Sequence, residues 1–364
     1  KSRKIFLDGL KKRLRSDVPI SFCLSGGIDS GTLVSAAVKH FNIKPTCYSI
    51  IDNDKRYNES KNIRFIEKDL GINCKKINLR TEKFDTFLDK LNNLIKYKNA
   101  PVSTISYYIH SLISEQSSKD GNKVIFSGTG ADELFTGYYD HHLFYLSEIK
   151  KNKHQFKNEM NYWKNYVQPF IRNPLLSNPK YILNNPKFRD HIMPKNRNIF
   201  INYKSQNNFF ENKYSSSNLK NRMLNELFHE SVPVILHEDD SNSMLYSIEN
   251  RSPYLNYKLL KYIQSINLKY FIKKGYTKNI LREMGSGILT DKVRLSREKK
   301  GFNTNLNSIV NLKNSEIIEY IVSQKKMENF INLKNIKKIK LNKLSNTMNK
   351  SLFNILNVSL FLEN

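Results

Sequence analysis

Short apolar runs alternate with helical patterns over residues 1–140, and that alternation leaves few folds open. Ile20-Ser21-Phe22-Cys23-Leu24 after Pro19, the stretches 46–51 and 74–79, and Val124-Ile125-Phe126 read as buried strands. Between them, Leu33, Val34, Ala37 and Val38 recur at helical spacing. Residues 59–70 form a helix pattern closed by Gly71, and 82–97 and 104–116 are helical as well. Strands and helices in this order predict an α/β fold with a parallel sheet and helices on both faces. Ligands of such sheets bind at the carboxyl ends of the strands. Two polar loops lie at those ends, 25–30 and 127–133.

The first loop reads Ser25-Gly26-Gly27-Ile28-Asp29-Ser30 and sits between a strand and a helix. Gly26 and Gly27 let the backbone approach a ligand, and the first helical amides are ready to meet an anion. Ser25 and Ser30 add hydroxyls. Asp29 is out of place beside phosphates unless a cation such as Mg²⁺ stands between them. An ordinary turn with an N-cap would also use these residues. The loop is not a Walker A motif, because no Gly-Lys-Ser/Thr follows, and it lacks the spacing of a dinucleotide fingerprint.

The second loop, Ser127-Gly128-Thr129-Gly130-Ala131-Asp132-Glu133, again supplies glycines, a hydroxyl and carboxylates. Two such loops at neighbouring strand ends can place Asp29 and Asp132 on one metal, held against nucleotide phosphates. Two unrelated turns with capping acids are the alternative.

The chain of 364 residues carries 60 Lys+Arg against 33 Asp+Glu, a net charge of +27. The lysines are spread along the whole length and interleaved with asparagines. This pattern fits composition bias and attraction of small anions better than a nucleic-acid patch, so nucleic acid is the lesser expectation. No apolar run is long enough to cross a bilayer, and the opening has no signal-peptide pattern. Cys23, Cys47 and Cys74 fall in or beside strands without metal-like spacing, which points to buried, reduced thiols in a cytoplasmic protein. His141 and His142, just past the second loop, read as surface histidines, although Tyr138 and His141 are close enough in sequence to touch that loop. Beyond residue 141 the strand signal fades. Residues 173–197 read as an irregular connection with four prolines, and the rest as mostly helical, with peripheral and partly disordered helices at the end.

Further segments follow in a definite order. Arg15-Ser16-Asp17-Val18-Pro19 precedes the first loop, and Tyr57-Asn58-Glu59-Ser60 comes later. Then come Asp240 with Ser243-Met244, and Ser247-Ile248-Glu249-Asn250-Arg251-Ser252-Pro253-Tyr254-Leu255. Lys278 with Leu281-Arg282 and Arg297-Glu298-Lys299-Lys300-Gly301-Phe302 complete the series. With the two loops, over roughly residues 1–305, this set resembles the synthetase domain of glutamine-hydrolysing asparagine synthetases. The resemblance implies a PP-loop ATP pyrophosphatase fold of the adenine nucleotide alpha-hydrolase-like kind. Residues 1–140 would be its nucleotide-binding core and 141–364 its mostly helical remainder. It implies ATP and Mg²⁺ as cofactors, and a carboxylate substrate, aspartate first, that is adenylated with loss of pyrophosphate and then amidated by ammonia. It also implies that Leu24, Ile50, Ser127 and Gly128 line the adenosine pocket, that Lys299 reaches the phosphates, and that Glu249 and Arg251 form a site wall in the helix that closes the site. A homodimer is an assembly compatible with it.

Three departures bear on that expectation. Thr129 stands where the family carries Glu, and where related β-lactam synthetases carry Tyr. A threonine cannot act as a carboxylate base, so a different acyl substrate, a displaced base such as Glu249, or reduced activity would follow. Ser241 and Asn256 replace an Arg and an Asp of the family pattern. No stretch resembles the glutaminase domain, whose N-terminal cysteine releases ammonia from glutamine. The chain starts at Lys1 close to the usual junction at Arg15-Ser16-Asp17, so truncation is the simpler expectation, with a separate glutaminase domain or subunit, or free ammonia, as the nitrogen source.

Overall fold

The computed structural model describes residues 1–54, 56–192, 200–202, 209–298, 304–311, 316–339 and 346–364. Its centre is a five-stranded parallel sheet: β1 Ile20–Cys23, β2 Thr46–Ile51, β3 Cys74–Asn78, β4 Val124–Phe126 and β5 Glu249–Arg251, in the order β3-β2-β1-β4-β5. Helices α1 Ser2–Arg13, α2 Ile28–Phe41, α3 Ser60–Leu70, α4 Phe84–Lys98 and α5 Ile105–Lys119 intervene. The inner strands β1, β2 and β4 bury residues on both faces, as parallel strands do, whereas the edge strands β3 and β5 are partly exposed. Phe22, Cys47, Val124 and Phe126 pack into one core with α1–α3, whereas Tyr48 and Ile125 pack with Ile113 of α5 on the other side. The α/β fold with helices on both faces is therefore present.

Strand order reverses beside β1. The chain runs outward through β2 and β3, then returns so that β4 pairs with β1, Ile20 opposite Val124 and Phe22 opposite Phe126. This is the topological switch point at which open α/β sheets form a ligand crevice. Both polar loops leave the sheet there.

The fifth strand corrects the expectation of a helix at 247–255. The Ser231–Met244 helix ends first, and Glu249–Arg251 then lies along β4, with the Glu249 amide bonded to Lys123 O and the Ser127 amide to Arg251 O. Three polar residues carry no strand pattern. They are extended because the β4 edge offers hydrogen-bonding groups that need partners.

A second hydrophobic core joins α4 and α5 to the C-terminal region, with Leu306, Ile317, Ile321, Leu352, Phe353 and Leu356 buried in it. The last segment is a helix, Asn346–Glu363, built into this core, and not a peripheral one. Within 173–192 the chain forms two short helices, Pro174–Ser177 and Lys180–Asn184, and residues 193–197 lie outside the described set. Cys47 and Cys74 are buried, Cys23 is half-buried, and all three are free. Among the described residues no helix is long and apolar enough to cross a membrane.

His141 and His142 are fully buried, against the surface placement expected from sequence. They belong to helix Tyr139–Glu148, where His141 Nε2 meets Glu226 Oε2 at 2.5 Å. Burial drives the His142 pKa down to about 3, so its ring is neutral.

Candidate active site

The loop after β1 turns sharply at Gly26, whose φ of 76° is costly for any residue with a side chain. A Cβ there would also press on Glu59 at 3.1 Å. Gly27 is the N-cap of α2 and brings no capping side chain. Ser30, in the first turn, accepts the Ser25 amide at 3.0 Å, and its hydroxyl lies 3.0 Å from that of Ser25. The loop after β4 lies directly against this turn. A Cβ on Gly128 would come within 3.1 Å of Asp29 Cβ and 3.2 Å of the Ser30 amide nitrogen, so a side chain there would press the two loops apart. Tyr254 fastens the first loop from behind, donating its hydroxyl to Asp29 O at 2.8 Å.

The two loops bring Asp29 and Asp132 onto one cation, the ammonium of Lys278. Its Nζ is 2.7 and 2.6 Å from the Asp29 carboxylate oxygens and 2.8 Å from Asp132 Oδ1. Lys278 is buried, and burial alone would lower its pKa. The two carboxylates outweigh that and hold it above the ordinary lysine value. Lys278 also has a left-handed backbone, φ 55° and ψ 32°, at the start of the Asn279–Met284 helix. Such a conformation costs on the order of 1–3 kcal/mol in a residue with a Cβ, and the ion pairs hold it in place. Two carboxylates converging on one positive charge are a donor set that fits Mg²⁺.

These groups open onto a cavity of about 560 Å³. Leu24, Ser25, Asp29, Ser30, Ile50, Ser127, Gly128, Thr129 and Asp132 all line it. Gly26 and Gly27 shape the turn beside it without lining it. Glu249 and Arg251 are not brought there. Register puts Glu249 opposite Val124, at the amino end of the sheet, away from the loops. Its exposed carboxylate pairs with Arg251 at 2.8 Å, and the guanidinium donates to Arg13 O and Arg15 O at 2.6 and 2.8 Å. Asn250, which points to the opposite face of the strand, lines the cavity in their stead. The expected wall role is thus corrected to a tie between β5 and the end of α1. Lys299 lies outside the described residues.

Several cavity groups were not singled out in the sequence. Glu133 is buried, and burial with the neighbouring Asp132 charge pushes its pKa up to about 7, while the Tyr138 hydroxyl donates to it at 2.5 Å. Asp239 and Asn242 reach the cavity from the Ser231–Met244 helix, and Tyr107 and His110 from α5. Lys278 was matched as part of a segment, but nothing local to it shows that it meets two loops some 150 and 250 residues away. Cys23 lines the cavity too, with its thiol pKa pushed up to about 12 by burial and by Asp239, so it is inert.

Fold and site define an α/β protein with a ligand crevice at a parallel-sheet switch point, walled by two loops whose carboxylates share a cation. The asparagine synthase family model matches residues 1–361, and the chain belongs to that family. The match extends past residue 305, where the recognisable motifs end, and takes in the C-terminal helix. The chain is 25% identical over 343 residues to glutamine-hydrolysing asparagine synthetase 1 of Bacillus subtilis, covering 90% of this chain and 53% of the relative. It is 26% identical over 328 residues to asparagine synthetase 3 of the same organism, covering 82% and 47%. Amidase chyE of Penicillium rubens is 26% identical over 150 residues, 37% of this chain and 22% of that protein. The chain thus spans about half the length of the asparagine synthetases it matches. A solved U34-tRNA thiolase from Methanococcus maripaludis aligns with 83% of this chain and 89% of its own at 12% identity and a TM-score of 0.27, a likeness too weak to carry any inference.

Proposed function

We propose that this chain is the ligase part of an ATP-dependent amide-forming enzyme, which activates a carboxylate as its acyl-adenylate, releases pyrophosphate, and passes the acyl group to nitrogen. The observation that carries this reading is the convergence of Asp29 and Asp132 at the β1/β4 switch point, beside a helix N-terminus and over a cavity large enough for a nucleotide. Family membership supports the ligase class. Aspartate is the first candidate for the acyl substrate and ammonia for the nitrogen. A different carboxylate is the second reading, favoured by Thr129 at the position of the family's Glu.

In this scheme the amides at the start of α2, with Ser25 and Ser30, bind the phosphates of ATP, and Leu24 and Ile50 pack on the adenosine. Asp29 and Asp132 would hold Mg²⁺, which when bound offsets the negative charge that builds on the phosphates. Lys278 keeps the two carboxylates together and limits their mutual repulsion. Tyr254 and Gly128 fix the distance between the loops. ATP–pyrophosphate exchange with a panel of carboxylates tests the scheme. Exchange that depends on aspartate supports the first reading, exchange with another acid alone supports the second, and no carboxylate-dependent exchange refutes both.

A further inference from the structure

Thr129 has a carboxylate partner. Its hydroxyl lies 3.2 Å from Asp239 Oδ2, and the other oxygen of Asp239 lies 3.2 Å from His110 Nδ1. The threonine is fixed from its other side by the Ser127 hydroxyl at 3.0 Å. Asp239 comes from the Ser231–Met244 helix and His110 from α5, two elements packed against each other on the cavity wall. Asp239 is 6% exposed and His110 34% exposed, so the pair runs from the closed part of the cavity toward solvent.

We propose that Asp239, oriented by Thr129 and His110, is the catalytic group that receives the incoming nitrogen nucleophile, ammonia or a primary amine, and takes its proton. It supplies the carboxylate that the threonine cannot. This proposal rests on the acyl-transfer reading above. The nitrogen lone pair forms the C–N bond at the acyl carbon, the C–O bond to the AMP phosphate breaks, and AMP leaves with that electron pair. The proton shed by nitrogen passes to Asp239 and from there to water at the open end of the cavity. A carboxylate also attracts a nucleophile that arrives as a cation, as ammonia and most amines do at neutral pH, and that cation first gives up a proton to water, because only the neutral nitrogen has the lone pair that attacks. Of the other groups around Asp239, Glu133 is a rival carboxyl of the cavity wall, but its bond is to Tyr138 and not to Thr129. The Tyr107 hydroxyl and the Cys23 thiol are pushed up by burial, and Glu238 is paired with Lys98. His110 is a positioning residue that fixes the carboxylate.

The two half-reactions separate the ideas. Pyrophosphate exchange reads adenylation, and amide formation with ammonium chloride reads nitrogen transfer, using whichever carboxylate supports exchange. Asp239→Asn is expected to slow amide formation by about 100-fold or more while exchange stays within a few-fold of wild type. Adding Thr129→Glu to that variant is expected to restore amide formation at least tenfold (~10), because the carboxylate returns on the neighbouring side chain. His110→Gln is expected to change the pH profile of amide formation and leave that of exchange unmoved. Wild-type amide formation in Asp239→Asn overturns the proposal. An equal loss of both half-reactions in Asp239→Asn and His110→Gln does the same. Absence of exchange in the wild-type protein with every carboxylate is a different result, and it refutes the ligase reading itself.

Discussion

Lys278 and Arg222 are both buried cations set among carboxylates, yet their surroundings differ. Arg222 meets Asp140 at 3.3 Å, Glu226 at 3.1 Å, Glu211 at 2.9 Å and Glu230 at 2.6 Å, and His141 and His191 complete the network. None of these groups lines the cavity. Asp140, His141 and Glu226 have the spacing of a metal trio, but the guanidinium already provides their positive charge. Among the described residues Lys278 is ion-paired with Asp29 and Asp132, and those carboxylates border open space. A charge network closed on itself holds packing in place. One that faces a cavity leaves its carboxylates open to a ligand. Burial and ion pairing alone do not distinguish the two, and access to the ligand does.

The comparison can be broken by removing each cation. Arg222→Met leaves carboxylates buried without compensation, and should cost about 3–5 kcal/mol in urea unfolding, with no recovery on adding Mg²⁺. Recovery would make the Asp140–His141–Glu226 cluster a metal site. Lys278→Met should cost about 3 kcal/mol, and Mg²⁺ should return more thermal stability to it than to the wild-type protein. An Mg²⁺ response no larger than that of wild type would remove the metal assignment at Asp29 and Asp132.

Two smaller effects sharpen the same contrast. His142 is buried and neutral, and among the described residues neither ring nitrogen has a hydrogen-bond partner. Its folded pKa, about 3, lies below the unfolded value of 6.5. The unfolded state therefore binds the proton first, and stability falls as pH drops from 6.5 toward 3. His142→Leu should remove that slope and be the more stable protein by about 2 kcal/mol at pH 5, read as the difference between two urea titrations. The smallest effect belongs to Glu249→Ala. An exposed ion pair is worth about 0–1 kcal/mol, and pyrophosphate exchange should be unchanged. A large loss of exchange would return Glu249 to the site.

Much of this was legible in the chain. β2 spans the residues that the apolar pattern marks, and Gly71 caps α3 with a left-handed φ of 64°, as expected of that residue. Both loops were visible because glycines, hydroxyls and an acid follow directly on a buried strand. β5 was not legible, since Glu249-Asn250-Arg251 has no apolar alternation and owes its conformation to the β4 edge. Nor was the burial of His141, whose partner Glu226 lies 85 residues further along and offsets the desolvation of a polar ring.

The linear chain carries the alternation that makes a parallel sheet, the two loops at its carboxyl ends, and the family in which such loops occur. These are local properties of residue type and spacing, so they can be read in a line. Tertiary structure alone decided which charges meet. It placed Lys278 between Asp29 and Asp132, moved Glu249 to the far end of the sheet, and set Asp239 and His110 beside Thr129. Electrostatic partners are chosen by distances of a few ångströms in the folded chain, and those distances bear no relation to separation along it.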